Sequence, residues 1–355
     1  MKPSEDRSCS PQGIKKFKLS FLRKLPAGIL MLFILMSGCS TDRPEADIEG
    51  IELDMEILRL DHDLFKIDID SIGNQLPHIK EKYGDFFDIY NHLIIRIGSP
   101  RSNAYEQHLR RFLTDHDIYR LNRETENIFP DLSDLENELE KAFKHFVYYF
   151  PGYPVPQIYT FISGFNQSVV VAEDILAVGL DKYLGRDHKF YSQLQLPLYQ
   201  RNKMYPEKIP ADCMIGWAMT EFEFDDDNEN LLSHMIYEGK LLYFADRVMP
   251  WQHDTLKTGF TSAQLQWCRK NERQMWTYLV ENKKLFSTQS RTIGSFINEG
   301  PFTSDFTRES PGRAAVWLGW QIVDSYMNRN NQISLQELML NTDYQGILNN
   351  ARYRP

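Results

Sequence analysis

Cysteine is scarce in this chain. Cys9, Cys39, Cys213 and Cys268 are the only four among 355 residues, and none stands in a CxxC pair or in a Cys/His cluster. That excludes a disulfide scaffold and a structural zinc site of the cysteine type. Cys213 and Cys268 could pair in an oxidising compartment or stay as buried free thiols, and the sequence leaves both readings open. Basic charge is short as well. The formal net charge is −9, and residues 1–38 hold seven basic and two acidic residues. Once that +5 balance is removed, the remainder carries −14. So acidic a chain has no basic field to displace phosphate counterions, which excludes nucleic acid as a partner. It also has no long-range attraction to an anionic membrane surface. The apolar run at 27–36 falls short of the roughly 20 residues that a permanent membrane-spanning helix needs. There is no G-x-S-x-G, phosphate-binding loop or dinucleotide fingerprint, so serine-hydrolase and nucleotide chemistry have no motif here.

What is present begins with an address. Lys15, Lys16, Lys18, Arg23 and Lys24 precede AGILMLFILMSGC at 27–39, the order of a secretory signal. Its end, Leu35-Met36-Ser37-Gly38-Cys39, resembles a bacterial lipobox, with Met36 a less usual choice at its position. The resemblance implies a signal peptide over 1–38 and acylation of Cys39 as the first mature residue. Two or more acyl chains anchor firmly where one does not. Residues 40–50, STDRPEADIEG, then read as a polar tether.

The rest, 51–355, reads as one domain with 42% hydrophobic and 13% aromatic residues over the whole chain, enough for a substantial core. IELDMEILRL (51–60) alternates as a strand does. Helical patterns follow at 71–90, 102–123 and 131–150, the last with Ser133 or Asp134 as its N-cap. PGYPVP (151–156) breaks the pattern. QIYTFISGF (157–165) and SVVVAEDILAVGL (168–180) read as a hairpin through Gly164 and Asn166. Helices are expected at 209–222, 231–248, 261–286, 310–327 and 334–340. The fold class is α+β: mostly helical, with a small antiparallel sheet. The acidic run EFEFDDDNEN (221–230) lacks the spacing and glycine of a calcium loop. It reads as a solvated loop that places negative charge at a helix N-terminus.

One stretch raises a chemical question. HMIYEGKLLYFAD (234–246) places His234 and Glu238 four apart, on one helix face. In a zinc-peptidase helix, His-Glu-x-x-His, the histidines hold the metal and the glutamate activates water. With Glu238 in that role, the ligand positions are Tyr237 and Leu241, and leucine cannot bind zinc. A standard site is excluded by residue type. What stays open is an unorthodox site using His234, Glu238 and a distant carboxylate, or a core helix with a partnered Glu238 and Lys240 snorkelling to water.

ILRLDHDLF (57–65), KEKYGDFFDIY (80–90), VAEDILAVGLDKYLGRDHKFY (171–191), LLSHMIYEGKLLYFADRVMP (231–250) and SPGRAAVWLGWQIVDSYM (310–327) together resemble the gliding-motility lipoprotein of Bacteroidetes, the GldB type. Leu60 departs from the family, which more often has phenylalanine there. That family is in turn similar to predicted zinc-dependent peptidases of zincin-like fold. The resemblance implies a degenerate active site at Tyr237, Glu238 and Leu241, with His234 and Arg313 as further cleft residues. It implies a non-catalytic pseudo-peptidase with no metal and no cofactor. It also implies a lipid anchor in the cell envelope facing the periplasm, and partners in the gliding and type IX secretion apparatus. The rival expectations are a metallopeptidase with unorthodox ligands and a peptide-binding chaperone for secreted proteins.

Overall fold

The computed structural model describes residues 46–227 and 229–355. Cys39 and the signal segment lie outside the described residues. In chain order the elements are β1 (Ile57–Arg59), α1 (Leu60–Phe65), α2 (Ile72–Ile89), α3 (Tyr105–Leu113), α4 (His116–Ile128), α5 (Ser133–Tyr149), β2 (Gln157–Phe161), β3 (Val169–Ala172) and β4 (Ile175–Gly179). There follow α6 (Lys189–Gln193), α7 (Leu198–Arg201), α8 (Ile209–Glu221), α9 (Leu231–Val248), α10 (Asp254–Thr258), α11 (Ser262–Glu281), α12 (Ser290–Ile297), α13 (Ala314–Arg329), α14 (Leu335–Leu340) and α15 (Tyr344–Ala351). The α+β reading holds, and helices dominate.

The sheet corrects the antiparallel expectation. Its four strands run in the order β1-β2-β4-β3. β1 pairs parallel to β2 and β2 parallel to β4, while only β3–β4 is antiparallel. The hairpin is therefore not 157–165 with 168–180; it lies inside the second run, turning at Glu173-Asp174 with Asp174 in the left-handed region at φ 53°. The reason is Asp181. Its carboxylate accepts the Ser163 and Phe165 N–H groups at 3.2 and 2.6 Å. The chain is drawn out of the sheet after β2 and returns only at Val169. β1 is also shorter than the alternation over 51–60 suggests: it begins only at Ile57 and ends at Arg59, where α1 takes over at Leu60.

Side-chain alternation sends each strand to two cores. Ile158, Leu176 and Val178 join a large core with the helices from α5 onward, whereas Tyr159, Phe161, Ile175 and Ala177 join a smaller one under α1–α3. α2 bends at Gly84, whose φ of +49° L side chains rarely adopt. α5 takes neither Ser133 nor Asp134 as its cap. Leu132 occupies that position, and the Asp131 carboxylate accepts the Ser133 N–H at 3.1 Å.

The centre of the large core is the α9–α13 crossing. α9 is apolar almost all round, as a helix with no solvent face must be. It starts in a capping box in which Asn230 and Ser233 bond each other's backbone N–H. At the crossing, Gly239 faces Gly319. A Cβ on Gly319 would lie 1.7 Å from the Met235 carbonyl oxygen, and one on Gly239 would lie 2.3 Å from the Gly319 carbonyl carbon. Only hydrogen fits, so the two backbones touch. Cys213 and Cys268 are both buried and both free, which settles the alternative left open by the sequence.

Candidate functional site

α9 carries the residues in question, and the crossing fixes which way each points. Glu238 and Leu241, three apart on one face, line a cavity of about 120 Å³. Arg313, left-handed at φ 60° just before α13, enters the same cavity. Its Nη2 donates to Glu238 Oε2 at 2.7 Å and its Nη1 to Glu299 Oε1 at 2.8 Å. Lys203 Nζ completes the chain, 2.5 and 2.6 Å from the two Glu299 oxygens. Lys208 pairs with Asp212 on the same wall, and Lys257, at the edge, pairs with Asp246 and Asp254.

For Arg313, Glu299 and Lys203, burial opposes the charged form, and its contest with the ion partners decides each outcome. For Arg313, burial disfavours the cation, but Glu238 and Glu299 outweigh it and raise its pKa. For Glu299, burial again opposes ionisation, and Lys203 with Arg313 prevail and hold it below the usual carboxylate range. Lys203 goes the other way: burial lowers it despite Glu299.

The other expected residues are elsewhere. Tyr237 points away from the cavity, its hydroxyl donating to the Phe222 carbonyl at 3.1 Å and its ring edge-on to Phe224. Burial pushes that hydroxyl's pKa up. His234 stacks on Phe224 at 4.4 Å, and its Nε2 lies 2.9 Å from Glu229 Oε1. The structure thus unites Glu238, Leu241 and Arg313 and leaves out Tyr237 and His234. Lys240 does not snorkel. It is 2% exposed and donates to the Asn341 carbonyl at 2.9 Å, beside the Tyr344 ring. Burial lowers its pKa to about 8.

Sequence reading missed Lys203, Lys208, Asp212, Lys257 and Glu299. Readable signals were the i,i+4 spacing of Lys208 and Asp212 and the i,i+3 spacing of Asp254 and Lys257.

The residues present do not fit zinc. Tyr237 and Leu241 stand at the positions where a His-Glu-x-x-His helix would carry its ligands, no histidine among the described residues lines the cavity, and the Arg313 guanidinium holds the one carboxylate in register. Glu238 is bound instead to a permanent cation, the Arg313 guanidinium, at 2.7 Å. What the arrangement offers is rigidity: a linear chain of alternating charges, Lys203–Glu299–Arg313–Glu238, that pins α9, the start of α13 and the 299–313 loop together. The acidic run does draw Asp225, Asp226 and Asp227 to within 4.8 Å of one another, on a loop where Asp226 and Asp227 are exposed.

Among the described residues, no helix is long and apolar enough to cross a membrane. No curated protein and no solved structure matches the chain. A family model does, over residues 41–355 and so nearly all of it: the chain belongs to the family of gliding motility protein GldB, a family of gliding-motility lipoproteins.

Proposed function

We propose that the chain serves gliding motility from a lipid anchor on Cys39, facing the periplasm, as a protein that holds partners and hydrolyses nothing. Its partners on this reading are envelope components of the motility and type IX secretion apparatus. The helix over 231–248 would be a peptidase helix of zincin-like descent that has lost its metal and kept its glutamate as a structural ion pair. The observation that carries this is the Glu238–Arg313 contact of 2.7 Å, which occupies the Glu238 carboxylate with a cation from the chain itself.

The test combines chemistry and physiology. Purified full-length protein is expected to hold no stoichiometric zinc and to cleave no peptide, before or after chelation. Cells carrying Glu238→Gln are expected to glide whenever the protein accumulates normally, because the glutamine keeps the shape and a hydrogen-bond acceptor. Stoichiometric zinc with chelator-sensitive cleavage would overturn the reading. So would loss of gliding in Glu238→Gln cells with wild-type protein levels and stability, since a structural role predicts no such separation.

A further inference from the structure

A second cavity of about 610 Å³ shares no residue with the Glu238 site. It runs between the α4–α5 junction, residues 206–210 and residues 251–256. Its size is that of a site for a ligand or a short peptide segment. The floor is apolar, with Phe129, Leu132, Leu135, Ile209 and Trp251 among its residues. The polar part has one sign. Asp131, Asp134, Glu138 and Glu207 line it, and among the described residues no lysine or arginine does. Pro130, Pro206 and Pro210 add walls that carry no backbone N–H.

Its deep end is short of donors. Trp251 Nε1 and Gln252 Nε2 both donate to Glu138 Oε2, at 2.9 and 3.1 Å. Gln252 is 8% exposed, and its buried amide oxygen has no hydrogen-bond partner among the described residues. A buried acceptor left unmade is costly, and here it sits beside a carboxylate. Two cations that do not line the groove touch its lining residues from behind and are engaged there: Lys141 lies 3.8 Å from the Trp251 ring centroid, and Arg59 donates to the Pro130 carbonyl at 3.4 Å. His253 does line the groove, but its Nδ1 accepts the Thr255 N–H as a helix cap.

We propose that this groove binds an extended segment of a partner polypeptide, placing a lysine or arginine flanked by apolar residues against Glu138 and Gln252. The cation supplies the missing donors and answers the rim carboxylates. The apolar neighbours cover the floor, which a free polyamine would leave wet. The net charge of the whole chain, −9, favours encounter with a basic segment. The inference rests on reading the chain as a partner-holding protein, and binding is measured apart from gliding so that either can fail alone.

The test is fluorescence anisotropy on the full chain in detergent, with a labelled apolar hexapeptide bearing a central arginine. Saturable binding is expected. Citrulline in place of arginine, which removes charge and keeps shape, is expected to weaken it by at least about tenfold. The exposed rim double variant Asp134→Lys with Glu207→Lys is expected to do the same without changing thermal unfolding. Glu238→Gln, in the other cavity, is expected to bind as wild type does. No saturation by about 1 mM peptide would overturn the proposal. Equal binding of the citrulline peptide, or an unaffected rim variant, would overturn it too. Displacement by spermidine at the peptide's own affinity would make this a free-polyamine site and overturn the polypeptide assignment.

Discussion

Arg313 is the residue on which the candidate site turns. It stands between Glu238 and Glu299, partly buried, and gives each a short bond from a different nitrogen of its fork. Replacing it with alanine leaves Glu238 without its cation and Glu299 with Lys203 alone. Arg313→Ala is therefore expected to lower stability by about 2 to 4 kcal/mol, the cost of stranding a partly buried carboxylate. Arg313→Lys should recover only part of this, because an ammonium cannot reach two carboxylates as a planar fork does. Urea unfolding of the three proteins checks it. A loss under about 0.5 kcal/mol for alanine would mean that the pair behaves as a surface salt bridge and holds nothing. The sequence made part of this site legible. Helix spacing put His234 and Glu238 on one face, of which only Glu238 lines the cavity, and residue type removed zinc at Tyr237 and Leu241. The bond to Arg313 spans 75 positions, which no spacing rule reaches. Arg313 was found only through resemblance, and Glu299 not at all.

At the scale of elements, the α9–α13 crossing and the sheet behave differently as sequence. The two helices are long apolar patterns with good boundaries, and the structure places them within a few residues of expectation. Their contact is set by two glycines that a sequence reading has no cause to pair. Gly319→Ala is expected to cost at least about 3 kcal/mol or to abolish folding, since its methyl would meet the rigid Met235 carbonyl at 1.7 Å. Gly294→Ala, inside α12, meets only the end of the Asn298 side chain at 3.0 Å. It should be neutral or up to about 1 kcal/mol stabilising by helix propensity. Thermal or urea unfolding distinguishes the two, and a harmless Gly319→Ala would show that the helices can part. The strands were recognisable from their β-branched runs, but their partners were not. Gln157–Phe161 looks ready to pair with the next apolar run, yet its neighbours are Ile57–Arg59, about a hundred residues earlier, and Ile175–Gly179. Pairing is a non-local choice, and a buried acid made it.

That acid acts on the whole molecule. Asp181 has no exposed surface and ties the 163–167 loop to the end of β4. The Tyr191 hydroxyl donates to its backbone carbonyl at 2.9 Å. Burial outweighs the bonds it accepts and raises its pKa from 3.8 to about 6. Between these values the folded chain keeps a proton that the unfolded chain has released. Its contribution to stability is therefore largest below about pH 4 and declines as pH rises to about 6. A shift of about two pH units corresponds to roughly 3 kcal/mol. The stability difference between wild type and Asp181→Asn is expected to move against wild type by about 2 to 3 kcal/mol over that window. Urea denaturation at matched pH values measures it. Parallel curves for the two proteins would show that Asp181 does not titrate there.

Composition and pattern alone determined the class of this protein. Acidity argued against nucleic acid as a partner, residue type ruled out a standard zinc site, and periodicity gave an α-rich α+β domain with its main helices. These properties are local or additive, so a linear reading captures them. Tertiary structure alone decided the rest. It made the sheet mixed because Asp181 pulls the chain out of register after β2. It turned Tyr237 and His234 away from Glu238. It linked Glu238, Arg313, Glu299 and Lys203 in a linear chain of ion pairs, from segments that only folding brings together. Each of these is a contact between residues far apart in the chain, chosen by what burial would otherwise leave unpaired.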